Sequence, residues 1–378
     1  MVSHLIPLVC LKNKLVGANH EAAFLLPSEY HLLAKELNLN IVDVDHRSQD
    51  GFRTEILAYQ KFNPDVIVDD SSIYTVFVKQ IAKKPRVAIQ RVGMFPGGVP
   101  RNKNHVHSMG QNVNLKEFEI AKNFGLLVPK CFEDFFSAEM KIVPGIRTIE
   151  VLPSSLNNDP TYVFSGPLLL EDSILERINN YYIDRIGKHV LYNPSTLEAF
   201  FNRNQHCFIV YFTFGNVARA VQPVINSIRY LLDRNTAVIS NIPIDSLTPR
   251  QHELYLHSSF LPMHYVCSRV QLMVHHCGSG TYQYQVLYEL PALTIGTGCY
   301  DREDVALRLQ ELEVGIHLPP PQECEDFVSL FKNTFDSFAG PNHSSYRKAK
   351  QKLTALKQES EQVMNTFNFE KVLAQAVG

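Results

Sequence analysis

The sequence predicts an α/β protein built from two parallel-sheet domains, and three observations lead there. The chain has 378 residues, more than twice the ~150 typical of one domain. Short apolar segments alternate with segments of helical spacing, the pattern of βαβ units. That alternation runs once, breaks off, and starts again.

The first series begins at Glu21 and reads AAFLL, YHLLAKEL, NIVDVD, RTEILAYQKF and DVIVDD, strand and helix in turn. From Arg91 to Asn114 the chain carries Gly93, Pro96, Gly97, Gly98, Pro100 and Gly110 among Arg and Lys. This reads as a long loop, of the kind that often serves function. Between Pro153 and Asn204 turn formers surround one helical stretch, SILERINNYYIDRI, and mark the domain junction. The second series follows as CFIVYFTFG, PVINSIRYLL, TAVISN, ELYLHS, VQLMVHH, GTYQYQVLYEL and PALTIG. From Ser344 to Val377 a polar, periodic tail suggests one or two helices. The predicted organisation is a first domain over 1–165, a second over 166–345, and a tail over 346–378 that packs back on the first domain.

Composition narrows the function. Hydrophobic residues make up 45% and charged residues 20%, ordinary for a globular cytoplasmic protein. A formal net charge of -2 and a pI of 6.7 leave no global basic field for nucleic acid. The seven cysteines are scattered without C-x-x-C spacing, which argues against a disulfide framework or a zinc site. The longest apolar runs, such as Phe208 to Phe214, are strand-length and far short of the ~20 residues that span a bilayer. No signal peptide is evident at the N-terminus.

The segment QLMVHHCGSGTYQYQVLYELPALTIG carries the chemistry. A buried strand ends in His275-His276, passes through Cys277, Gly278, Ser279 and Gly280, and opens a helix at Thr281. Backbone N–H groups at a helix N-terminus suit a phosphate, and glycines let it approach the backbone. Thr281 adds a hydroxyl and His276 a further hydrogen-bond donor. Nothing matches G-x-x-x-x-G-K-[ST], so a P-loop ATPase is not indicated. No G-x-G-x-x-G follows an early strand, which disfavours a dehydrogenase.

HHCGSGT, then ELPALTIG, then YDREDVALRLQELEVGIHL resembles the donor-binding signature of family 1 glycosyltransferases, the UDP-glycosyltransferase superfamily with the GT-B fold, in its bacterial spacing. In that family a His-Gly-Gly or His-Cys-Gly turn binds the donor diphosphate and a Pro follows about fifteen residues on, as Pro291 follows His276 here. The resemblance covers nearly the whole chain. FIVYFTFGN is similar to a strand that places Gly215 and Asn216 near the donor phosphates, FLPMHYVCSRV to the base-binding segment with Met263 at the contact position, and VFSGPLLLED to the interdomain Val-Gly-Pro-Leu. It implies two Rossmann-like domains facing a central cleft, with His4 and His276 each at a strand end.

The resemblance aligns His4 with the family's catalytic base, which takes the acceptor hydroxyl proton. An imidazole, with its ordinary pKa of ~6.5, suits that task at neutral pH. The carboxylate that orients it is Asp70, or its neighbour Asp69, after the strand PDVIVDD; the family register favours Asp70. Asp301 aligns with the acidic residue that bonds the donor sugar, and Arg302 stands where the family has Gln, a change that suits an anionic donor sugar or a plain surface position. Tyr284 replaces a plant-type Glu. The family's first strand, ahead of the Gly-His loop, has no counterpart before His4.

The implied activity is inverting transfer of a sugar from a UDP- or TDP-type donor to a hydroxyl of a small or lipophilic acceptor, without metal or other cofactor. A decayed or non-catalytic nucleotide-sugar-binding subunit, or a sugar-nucleotide epimerase on the same fold, is the alternative. Arg91, Arg101, Lys103, His105 and His107, with Lys79, Lys83 and Lys84 upstream, form a basic stretch. Such a stretch suits an anionic acceptor or peripheral membrane contact, though charge runs are more often solvated faces.

Overall fold

The structure, a computed structural model, describes residues 2–15, 19–27, 30–44, 51–102, 116–186, 192–214, 222–258 and 260–378. The chain forms two compact units. The first takes the residues up to Pro100, the stretch ending at Leu170, and Gln362–Gly378; the second runs from Glu171 to Glu361 and includes Arg101.

In chain order the first unit holds α1 (Val2–Asn13), β1 (Ala23–Phe24), α2 (His31–Glu36), β2 (Asn40–Ile41), α3 (Gly51–Phe62), β3 (Ile67–Asp70), α4 (Thr75–Ala82), β4 (Arg86–Ile89), α5 (Lys116–Asn123), β5 (Met140–Pro144) and β6 (Tyr162–Gly166). Strands β3-β4-β5-β6 make one parallel sheet, with Asp70 paired to Ile89 in register. Strands β1 and β2 pair only with each other among the described residues. AAFLL and NIVDVD therefore yield two-residue strands, shorter than their apolar pattern suggests. His4 does not follow a strand: it lies in the first turn of α1.

The second unit comprises α6 (Asp172–Ile186), α7 (Pro194–Arg203), β7 (Ile209–Thr213), α8 (Gln222–Asp233), β8 (Ala237–Ser240), α9 (Pro249–Leu254), β9 (Tyr255–His257), α10 (Met263–Cys267), β10 (Leu272–His275), α11 (Ser279–Leu287), β11 (Ala292–Ile295), α12 (Tyr300–Glu311), β12 (Gly315–Leu318), α13 (Phe327–Phe338) and most of α14 (Ser344–Thr366). Its six strands are all parallel in the order β12-β11-β10-β7-β8-β9. The order reverses between β7 and β10. In doubly wound sheets that reversal opens a crevice at the carboxyl ends of the strands, where ligands bind. ELYLHS, read as strand, is the end of α9 followed by β9. Thr248 and Gln251 form a reciprocal capping box with Pro249 at the first helical position, a helix-start signal legible in the sequence.

The last helix, α15 (Phe369–Val377), belongs to the first unit, where Phe369, Val372 and Ala376 pack with Leu11 of α1 and Val87, Ile89, Met140 and Ile142 of β4 and β5. Burying these side chains removes apolar surface worth roughly 25 cal/mol per Å². The packing holds α1, and so His4, beside β3. No helix among the described residues is long and apolar enough to cross a membrane.

Candidate active site

In the second unit the site grows from the end of β10, all of whose residues are buried. His275 is fully enclosed. Its Nδ1 accepts from the Cys277 N–H at 3.1 Å, which leaves Nε2 to donate to Gln285 Oε1 at 3.0 Å, and Gln285 in turn donates to the Val314 carbonyl. Burial lowers its pKa to about 4. His275 is therefore the strut that shapes the turn. Cys277 takes a left-handed φ of 60°, and Gly278 caps α11, which opens at Ser279, two residues earlier than the sequence suggests.

His276, the other histidine of this turn, is also buried. Its ring stacks on Phe214, just beyond β7, with centroids 6.0 Å apart, so the two strands flanking the sheet reversal meet there. Its Nδ1 is buried without a hydrogen-bond partner. Burial first, then the charge of Arg302 and His275, lower its pKa to about 3. It is thus a neutral donor or acceptor, and the positive charge at this end of the sheet comes from Arg302. A Cβ at Gly278 would lie 2.9 Å from His276 Nε2, so that glycine is what the ring position demands; Gly280 opens on free space. The Thr281 N–H bonds the Gly278 carbonyl at 2.8 Å, leaving its hydroxyl as its contribution.

Asp301 sits in the first turn of α12 with a buried, unpartnered Oδ1, and the Thr297 hydroxyl before it is also buried and unpartnered. Such orphans are rare in native proteins, and a bound ligand is a common reason for one. The loop carrying Thr297 is fixed by Glu303, which accepts from the Thr297 and Gly298 N–H groups and meets His317 Nε2 at 2.6 Å. Burial works against the Glu303 charge, but His317 and these N–H groups hold its pKa below the usual carboxylate range.

In the first unit the end of β3 carries two consecutive carboxylates with different fates. Asp69 is gripped by Arg86, Nε to Oδ2 at 2.6 Å and Nη2 to Oδ1 at 2.9 Å. Arg86 spends its remaining donors on the carbonyls of Phe135, Ser137 and Ser72. Its side chain is wholly buried, so the pair is a structural staple. Asp70 points the other way, toward His4, with Oδ2 3.4 Å from His4 Nδ1. Its side chain is fully buried while that of His4 is 51% exposed, so the imidazole is open to a ligand and the carboxylate is not. Arg91, just past β4, binds both Asp70 oxygens, at 2.5 and 2.7 Å. Burial would raise the Asp70 pKa, but Arg91 and then His4 bring it down to about 2.

No protein-family model and no curated protein sequence matches the chain. Solved structures do. The chain is similar to the spinosyn forosaminyltransferase SpnP over 100% of its own length and 96% of that chain, with a TM-score of 0.66 and 16% identity. It is similar to the spinosyn rhamnosyltransferase SpnG complexed with thymidine diphosphate over 95% and 94%, with a TM-score of 0.60 and 14% identity. It is also similar to the glycosyltransferase SnogD from Streptomyces nogalater over 100% and 97%, with a TM-score of 0.59 and 13% identity. The fold is GT-B.

On this GT-B frame the remaining sequence-predicted residues fall as follows. Met263 opens α10, whose first N–H groups, at His264 and Tyr265, are bonded by the Asp172 carboxylate at 3.1 and 2.7 Å. Tyr284 is buried within α11 against the His264 ring. Gly215 and Asn216 lie outside the described residues, as do Lys103, His105 and His107. Three charges of the basic stretch are committed to carboxylates: Arg91 is buried on Asp70, and Arg101 binds Asp304 at 2.5 Å and Glu311 at 3.0 Å within the second unit. Lys79 pairs with Glu139 at 2.8 Å. The sequence also holds one D-x-D triplet, Asp43-Val44-Asp45, a spacing able to hold a metal; Asp43 is exposed just past β2, and its carbonyl accepts from Lys61. Sequence reasoning placed Arg91 in a basic stretch rather than on Asp70, and missed Thr297 and Gln285. Only Arg91 carried a signal, its place just past the carboxyl end of a parallel strand, where open α/β sheets collect ligand-binding residues.

Proposed function

We propose that this protein is an inverting glycosyltransferase of the family 1 type, taking a UDP- or TDP-linked sugar and a small hydroxyl-bearing acceptor. The observation that carries this reading is the turn after β10. At the sheet reversal, a helix N-terminus and three buried polar atoms without partners, on His276, Thr297 and Asp301, lie beside Arg302. A diphosphate bound by the α11 N-terminus and the His276 imidazole, with Arg302 supplying charge, and sugar hydroxyls on Asp301 and Thr297, would satisfy all three. Thymidine diphosphate in the similar SpnG and dTDP in the similar VinC support a pyrimidine donor.

In this reading the acceptor hydroxyl gives its proton to His4 Nε2 as its oxygen attacks the anomeric carbon from the face opposite the diphosphate. The new C–O bond forms as the sugar–phosphate C–O bond breaks, and the electron pair leaves on the diphosphate. Asp70 keeps the His4 proton on Nδ1 and stabilises the imidazolium, as in other base-orienter pairs. A pKa of about 2 keeps the Asp70 carboxylate ionised, so the transferred proton stays on the imidazole. The diphosphate charge is met by fixed donors, so the proposal requires no metal.

The test incubates the full chain with UDP- and TDP-hexoses and a panel of hydroxylated aglycones, with Mg²⁺ and with EDTA, and reads product configuration by NMR. Transfer with inversion in EDTA is expected. Retention of configuration, or dependence on Mg²⁺, would overturn the mechanism.

A further inference from the structure

We propose that Arg91 is a positioning residue for proton transfer: its two-point grip on Asp70 fixes Oδ2 against His4 Nδ1 and holds the imidazole proton there, leaving Nε2 free to accept. The inference rests on the reading of His4 as the base and adds a residue that reading does not contain.

A carboxylate that orients a histidine must not rotate, because a turn of its plane frees the ring to choose its other tautomer. Asp70 has no such freedom. Nη1 of Arg91 donates to Oδ1 and Nη2 to Oδ2, a parallel fork that defines the carboxylate plane. The Ser71 hydroxyl adds a bond to Oδ1 at 3.0 Å, from a residue whose φ of 66° turns the chain sharply after Asp70. Oδ2 is the oxygen left facing His4.

Arg91 is itself well seated. It is buried, its carbonyl accepts from the Met94 N–H, and the next residue, Val92, donates its N–H to Glu150 at 3.0 Å. The neighbouring pair shows the same device in a structural role. Arg86 from the start of β4 forks onto Asp69, and Arg91 from just past the end of β4 forks onto Asp70. A lysine keeps the charge but loses the planar fork, so Arg91→Lys separates geometry from electrostatics.

The experiment uses full-length protein with ¹⁵N-labelled histidine, the His4 ring signals being assigned by their loss in His4→Gln, at a pH where the imidazole is neutral. Wild type is expected to hold the proton mainly on Nδ1. Arg91→Lys is expected to move it mainly to Nε2 and to lower turnover of the nucleotide sugar on the order of tenfold, with nucleoside diphosphate affinity unchanged. An Arg91→Lys protein with the wild-type tautomer and wild-type turnover would overturn the inference alone. If Asp70→Asn also leaves the tautomer unmoved, or His4→Gln leaves turnover intact, the base reading falls with it. Should Arg91→Lys fold poorly, Ser71→Ala tests the same point: it keeps the fork and is expected to keep the tautomer, and a switch to Nε2 would assign the orientation to the turn instead.

Discussion

The two histidines of the proposed reaction sit in opposite environments. His4 is half-exposed and backed by a fully buried carboxylate that the Arg91 guanidinium grips from its other side. His276 is enclosed, stacked on Phe214, kept neutral by burial and left with an unpartnered Nδ1. The proposed proton transfer needs access to the acceptor and a counter-charge for the imidazolium, and the exposed His4 on Asp70 suits it. The proposed diphosphate site needs a dry, fixed polar ring, and the buried His276 suits that. The difference teaches that burial and partner, more than residue type, assign the chemistry to an imidazole.

The largest effect expected separates these duties in the proposed reaction. His4→Ala should lower transfer by about 10²- to 10⁴-fold, the usual worth of a general base, while nucleoside diphosphate binding measured by calorimetry stays at the wild-type value. Loss of binding in parallel with loss of rate would break the contrast between the two sites.

A second, smaller effect sharpens the contrast within the β3 carboxylate pair. Arg86→Met strands the buried Asp69 charge and should cost about 3–5 kcal/mol of stability, read by urea denaturation. Arg91→Met leaves Asp70 with His4 and an open neighbour, and should cost clearly less. Equal losses would mean that Asp70 is as structural as Asp69.

Much of this was legible in the sequence. The restart of the βαβ pattern is the six-stranded sheet, and HHCGSGT is the turn at its reversal. Asp70 and His4 were paired through the resemblance and stand 3.4 Å apart. What periodicity cannot encode is the partner. AAFLL and NIVDVD have strand character, yet a strand extends only as far as its neighbour does, and among the described residues β1 and β2 pair only with each other. Nor does a basic run reveal which of its charges are spent: Arg91 and Arg101 look alike in sequence, and each is committed to a different aspartate. The orphaned Thr297 hydroxyl has no sequence signal at all, since it is defined by what surrounds it.

The smallest effect lies behind β3. Glu55 accepts from the Ser72 and Thr75 hydroxyls, and burial raises its pKa from 4.5 to about 7. Between those values the folded protein keeps a proton that the unfolded chain releases, so this group makes stability fall as pH rises from about 4.5 to 7. Glu55→Gln should flatten that slope in thermal melts. Asp70 acts in the opposite sense at the acid end: stability it supplies above 3.8 is lost as pH falls toward about 2. An unchanged slope in Glu55→Gln would remove Glu55 from the network that supports the Asp69–Asp70 turn.

The most direct measurement is calorimetric titration of UDP and TDP, with and without Mg²⁺, into wild type, His4→Ala and His276→Ala. Metal-independent binding of one nucleotide is expected, preserved in His4→Ala and weakened in His276→Ala by about 1.5–3 kcal/mol, the worth of a hydrogen bond to a charged group. Folded wild-type protein that binds neither nucleotide, or a His276→Ala protein that binds as tightly as wild type, would contradict it.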